Sequence, residues 1–177
     1  MSAMHEAGKH IRAILFLPGV VMVVIPATLL YFTGTDTFDL WSRAPSIRIL
    51  LGIGGIGLIG VGLGLLAATN RLFAKIGRGT LAPWNPTSNL VVEGVYRHVR
   101  NPMISGVFAI LLGESLTSAS IPIFLWFAFF VTINSIYIPF FEEPGLAKRF
   151  GADYDQYRKH VPRWIPKIKP WTKNANG

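Results

Sequence analysis

The sequence predicts an all-α polytopic membrane protein of about four transmembrane helices, the last two forming a hairpin, followed by a cytoplasmic amphipathic C-terminal helix. Three observations predict it. Hydrophobic residues make up 51% of the 177 and charged residues only 15%, and the mean hydropathy of +0.43 is that of a membrane protein rather than a soluble domain. Apolar runs of bilayer length recur along the chain, bounded by turn residues. The 17 Lys and Arg, against 9 Asp and Glu, collect in connections expected on one side of the membrane. A net charge of +8 also raises the question of nucleic acid, but no basic run is interleaved with aromatics on a soluble module. No nucleic-acid partner is therefore expected, and the cations are assigned to membrane lipid headgroups. The absence of cysteine excludes disulfides, thiolate metal sites and a cysteine nucleophile, and no metal is expected.

The first span is expected over Ile11 to Phe32, interrupted by Pro18 and Pro26. His10 and Arg12 before an apolar run also suit a signal peptide, but the run is long for one and no small-x-small cleavage site follows. A retained span is the better reading. The loop from Thr33 to Ser46 carries Asp36, Asp39 and Arg43 and is expected to face outward. The second span, Ile47 to Ala68, contains seven glycines. Gly52 to Gly57 matches a dinucleotide fingerprint, yet the strand before it and the acidic residue beyond it are missing. Helix packing explains the glycines better, with Gly52, Gly60 and Gly64 as the expected contact face and an oligomer through this span as a further use.

Thr69 to Val99 reads as a polar connection carrying Arg71, Lys75, Arg78 and Arg97 against the single acid Glu93, hence cytoplasmic. With an even number of spans, both termini are then cytoplasmic. Trp84 lies in a proline- and glycine-rich stretch; it suits either anchoring at headgroup level or lining an access path for an apolar substrate. Met103 to Leu116 and Ile121 to Phe141 form the hairpin around an uncharged turn. Glu114 is an acid within an apolar span, about 20 Å from the cationic end of its helix, and is expected to pair with Arg43 or Arg48.

The candidate site is at the open end of that hairpin. Tyr96, Arg97, His98, Arg100, Asn101, Pro102, Met103 and Gly106 form a cationic stretch that passes through a proline into the apolar helix. Glu142 and Glu143 close the returning helix, so the hairpin is expected to bring Arg100 and Asn101 beside them. Simpler readings compete: the acids as a helix cap and the arginines as snorkelling lipid ligands, the latter preferred for Arg97. Beyond Gly151, an apolar edge of Leu146, Phe150, Tyr154, Tyr157 and Val161 among many Lys and Arg is expected to lie on the membrane surface.

Tyr96 to Gly106, Glu142-Glu143, Phe150-Gly151, Tyr154, Tyr157, Pro162-Arg163 and Pro166 together resemble the isoprenylcysteine carboxyl methyltransferase and phospholipid methyltransferase superfamily of integral-membrane enzymes. The likeness covers roughly Ala82 to Lys167. The family's Arg-His-Pro-x-Tyr-x-Gly element falls on Arg100 to Gly106, with asparagine at the histidine position (Asn101) and isoleucine at the tyrosine position (Ile104). The resemblance implies S-adenosylmethionine as cofactor, bound by Tyr96, Arg100, Asn101, Pro102, Met103, Gly106, Glu142 and Glu143, and a lipidic or hydrophobic acceptor. Arginine suits the cofactor's carboxylate, and glutamate suits its ammonium and sulfonium. Arg163 is expected to orient the acceptor beside Trp84, and His98 is the candidate base where the acceptor must lose a proton. The expected organisation is one membrane domain over 1–177: two scaffold spans in 1–68, a cofactor-binding and catalytic part in 69–167, and a basic tail in 168–177. Methylation of a small thiol, and a non-enzymatic module binding anionic lipid or a partner helix, are the alternative readings.

Overall fold

The computed structural model describes residues 18–35, 44–76 and 90–172, and among them all regular structure is helical. Five helices follow in order: α1 (Val20–Thr33), α2 (Pro45–Ile76), α3 (Pro102–Ser118), α4 (Ile121–Phe150) and α5 (Ala152–His160). A single 3-10 turn, Gly94–Arg97, precedes α3. Trp84, Arg43, the stretch before Pro18 and the basic end from Lys173 lie outside the described residues.

α2 and α4 are each long and apolar enough to cross a bilayer, whereas α1 and α3 are shorter apolar helices. Only 11% of the most apolar window of α2 or of α4 is buried, so neither is the core helix of a soluble protein. Ile49, Leu50, Ile53 and Ile56 on α2, and Leu125, Phe129, Ile133 and Phe140 on α4, point away from the protein as lipid-facing side chains would. α3 is the inner helix: Val107, Ile110 and Leu111 are buried between its neighbours.

α2 runs eight residues past the expected end at Ala68. Polar residues such as Asn70, Arg71 and Lys75 carry no helix-breaking geometry, and the helix continues to the residue before Gly77. α2 and α3 cross at two glycine pairs. A methyl group added at Gly62 would stand 2.5 Å from the Gly106 carbonyl oxygen, and one at Gly55 would stand 2.7 Å from that of Gly113. The seven-residue spacing is the same on both helices, which pins an antiparallel register. Gly52, Gly60 and Gly64, the expected contact face, instead have open space around them. Gly62→Leu is therefore expected to destabilise the fold by about 1–3 kcal/mol, whereas Gly64→Leu should change it by less than about 0.5 kcal/mol. Thermal unfolding in detergent separates the two.

Two π-turns shape the apolar helices. In α1, Ile25 N–H bonds the Val20 carbonyl five residues back; the same pattern would aim the Pro26 nitrogen at the Val21 carbonyl, but proline has no hydrogen. Trp126 of α4 supplies the missing donor, its Nε1–H reaching the Val21 carbonyl at 3.1 Å. This bond ties α1 to α4. The second π-turn, Ile138–Glu142, contains Pro139 and immediately precedes Glu143. The helix runs through it without a break, and neither acid caps a new helix: Glu142 makes no side-chain capping bond.

Gly151, at φ 54°, breaks α4 from α5. The apolar edge expected on the membrane surface turns inward instead. Tyr154, Tyr157 and Val161 form a small core with Leu146, Ala147, Phe150, Leu90, Val92 and Trp171. An amphipathic stripe has the same period whether it meets lipid or protein, so spacing alone does not separate the two.

Candidate functional site

The site is assembled from three segments at the open end of the hairpin. The first is the passage from the 3-10 turn into α3. Gly94, at φ 52°, turns the chain; Pro102 begins α3 at a position where its missing N–H costs nothing. The second is the π-turn end of α4. The third is a C-terminal strap, Val161 to Thr172, which wraps back over the first.

Backbone hydrogen bonds fix the strap. Arg100 and Asn101 N–H donate to the Pro162 and Arg163 carbonyls at 2.8 and 3.3 Å, and Lys167 N–H donates to the His98 carbonyl at 3.0 Å. Trp171 N–H donates to the Arg97 carbonyl at 2.9 Å, and Arg97 Nε–H returns a bond to the Trp171 carbonyl at 2.8 Å. Arg97, expected to serve lipid, is thus a clamp on the strap. Ser105 Oγ–H donates to the Trp164 carbonyl at 2.7 Å, and the Trp164 ring packs on Phe108.

These constraints bring Arg163 into the hairpin end, where Glu143 stands between two guanidinium groups. Arg100 Nη1 donates to Glu143 Oε1 at 2.8 Å; Arg163 donates through Nε to Oε1 at 2.7 Å and through Nη2 to Oε2 at 3.0 Å. The two-pronged Arg163 contact fixes the carboxylate plane. The side chains of Arg100 and Glu143 are 10% and 9% exposed and that of Arg163 is 30% exposed, so Arg163 forms the solvent-side wall. Hydrogen bonding to Glu143 raises the Arg163 pKa further above its ordinary value. Two guanidinium groups against one carboxylate leave the cluster with a net charge of +1.

Two tyrosines support the cluster; the sequence places them on an apolar edge and within the family-like motif, with no role of their own. Arg100 Nη1 also donates to Tyr154 Oη at 3.3 Å, and Tyr157 donates its hydroxyl hydrogen to the Tyr96 carbonyl at 2.7 Å. Burial pushes the pKa of Tyr96, Tyr154 and Tyr157 up, helped by Glu142 at Tyr96, by Glu143 at Tyr154 and by Tyr96 at Tyr157. All three stay neutral at working pH. The signal that could have found Tyr154 and Tyr157 is chemical: a buried tyrosine hydroxyl needs a partner. Tyr157→Phe, which removes the donor to the Tyr96 carbonyl, is expected to lower stability by about 1 kcal/mol in thermal unfolding.

Three polar groups in these segments keep unused hydrogen-bonding capacity. Arg100 Nε–H is buried with no acceptor among the described residues. Glu142, one residue before the ion cluster and close enough to Tyr96 to act on its hydroxyl, is exposed and has no partner among the described residues. The Asn101 side chain makes no capping bond to α3.

The other candidates fall elsewhere. His98 Nδ1 bonds the Lys167 carbonyl at 2.7 Å, so Nδ1 carries the hydrogen and Nε2 is left as the basic nitrogen; the ring does not touch the ion cluster. Gly106 is occupied by the α2 crossing, against Gly62 and Leu65, which accounts for its lack of a side chain without a ligand. Met103 is partly buried on the first turn of α3. Among the described residues no group of His, Asp and Glu is placed to hold a metal ion.

A model of the phospholipid methyltransferase family matches residues 50–153, which takes in most of α2, the hairpin and both glutamates. Over 85 residues, 45% of the chain, the sequence is 36% identical to Protein-S-isoprenylcysteine O-methyltransferase of Schizosaccharomyces pombe. That match spans 34% of the relative's length.

Proposed function

The chain belongs to the phospholipid methyltransferase family, and from that premise we propose that it methylates a lipid or lipid-linked acceptor, using S-adenosylmethionine bound where Arg100, Glu142, Glu143 and Arg163 converge. The observation that carries the reading is the unsatisfied capacity there. Among the described residues the buried Arg100 Nε–H has no acceptor and Glu142, next to the cluster in the chain, has no partner, while the ion cluster keeps a net positive charge. An amino-acid end, carboxylate and ammonium together, has the complementary pattern. The residues present therefore fit the cofactor.

When bound, S-adenosylmethionine supplies a methyl group already activated by its sulfonium. The chain's own task is positioning and water exclusion. Glu143 holds both guanidinium groups in place, and that makes it a positioning residue. Arg100 and Arg163 attract a carboxylate; Glu142 attracts the ammonium and sulfonium charges. Asn101 offers an amide for hydrogen bonding but no proton to exchange. For an acceptor that must lose a proton, His98 Nε2 is the available base; a carboxylate acceptor needs none. Burial by the strap and by α4 lowers the local dielectric, which strengthens each of these contacts.

The apolar outer surface of α2 and α4 fits an acceptor arriving sideways from the bilayer, and the positive-inside bias of the sequence supports a site at the cytoplasmic face. The test is incubation of the full chain, reconstituted in lipid nanodiscs, with methyl-labelled S-adenosylmethionine and a total lipid extract. Label is expected in an organic-phase product whose headgroup names the acceptor. Label confined to water-soluble products would count against a lipid acceptor.

A further inference from the structure

At the closed end of the hairpin, about 18 Å along α3 from Pro102, lies a cavity of about 250 Å³. Met22, Val23, Pro26, Ala27 and Leu30 of α1 and Ile123 of α4 form its apolar wall; Glu114, Thr117 and Ser118 of α3 supply its polar edge. Glu114 Oε2 is buried and has no hydrogen-bond partner among the described residues. The pairing with Arg48 expected from the sequence is not formed, and no Lys, Arg or His lines the cavity among the described residues. The nearby hydroxyls do not serve the carboxylate either. Thr117 donates to the Gly113 and Glu114 carbonyls, and Ser118 donates to the Glu114 carbonyl.

A carboxylate at the edge of an apolar cavity, with neither a cation nor a donor beside it among the described residues, is costly to keep charged until a cation completes it. We propose that this cavity is a second binding site, separate from the methyl-transfer site, that takes the primary ammonium head of an apolar-chain amphiphile. The carboxylate pairs with the ammonium, and the free acceptor lone pairs of Thr117 and Ser118 take its remaining hydrogens. The volume lies just below that of ordinary small-molecule pockets, enough for the head and the first part of a chain. The rest of the chain lies along the exposed side of α1, past Val23. A charged pair formed in apolar surroundings selects an ammonium over an alcohol of the same length.

The test is photolabelling of the full chain in phosphatidylcholine nanodiscs by a ten-carbon primary amine carrying a diazirine, with the labelled peptides mapped. Label is expected within Met22 to Leu30 or on Glu114, and decylamine should displace it about tenfold better than decanol. Displacement by decylamine alone assigns a free alkylamine, and displacement by phosphatidylethanolamine as well assigns a lipid headgroup. Glu114→Gln should lose labelling about tenfold. Ala27→Phe, which fills the cavity and leaves the carboxyl in place, should lose it too, with helix content checked by circular dichroism. Equal displacement by decanol and decylamine, or wild-type labelling in either folded variant, would overturn the proposal.

Discussion

Replacing Glu143 by Gln is expected to destabilise the protein by about 3 kcal/mol, the lower end for breaking a buried ion cluster, because Arg163 is partly screened by solvent. The shape of the side chain is kept, but the one carboxylate opposing Arg100 and Arg163 is removed, leaving two guanidinium groups facing each other. Against a typical total stability of about 5–15 kcal/mol this is a large loss, visible as a lower midpoint in thermal unfolding. The double variant Glu143→Gln/Arg163→Gln should recover part of it, since one of the two unpaired charges is gone; the cycle gives the coupling directly. A single variant within about 0.5 kcal/mol of wild type would show that the cluster is not a stability element.

Arg100→Lys is expected to weaken binding of S-adenosylhomocysteine by at least about tenfold while leaving the fold in place. A lysine ammonium reaches one carboxylate oxygen as a point charge, so the contact to Glu143 survives in part. What it lacks is the second, differently directed donor at Nε, the buried N–H without an acceptor among the described residues. The expected signature is thus a split: nearly unchanged unfolding, reduced affinity. Loss of stability with unchanged affinity would assign Arg100 to structure alone.

The outline of this architecture can be read in the chain. Bilayer-length apolar runs mark the helices, and the uncharged turn from Leu116 to Ser120 marks the hairpin, which in turn brings Arg100 to Glu143. What cannot be read is which of several equivalent residues makes a contact. Seven glycines in α2 offer several small-residue faces, and only Gly55 and Gly62 meet a partner, because the choice depends on the rotation of α2 against Gly106 and Gly113. Arg163 carries no local mark of its role either. Its approach to Glu143 depends on the strap, which is held by backbone bonds at Arg97, His98, Arg100 and Asn101 that leave no trace in side-chain identity, with Arg97 and His98 side chains adding bonds to strap carbonyls. Glu142 and Glu143 are identical neighbours in sequence; the helix turns one into the ion cluster and leaves the other exposed. Of the two arginines expected beside Glu114, Arg48 does not meet it because the carboxyl faces α1 instead, and Arg43 lies outside the described residues.

The division of labour between the two glutamates is the centre of this account, and titrating the purified chain with S-adenosylhomocysteine tests it most directly. Wild-type protein is expected to bind and Glu142→Gln to bind at least about tenfold more weakly, with unfolding unchanged because Glu142 has no hydrogen-bond or ion-pair partner among the described residues. Equal affinity in wild type and Glu142→Gln would contradict the assignment of the cofactor to this end of the hairpin.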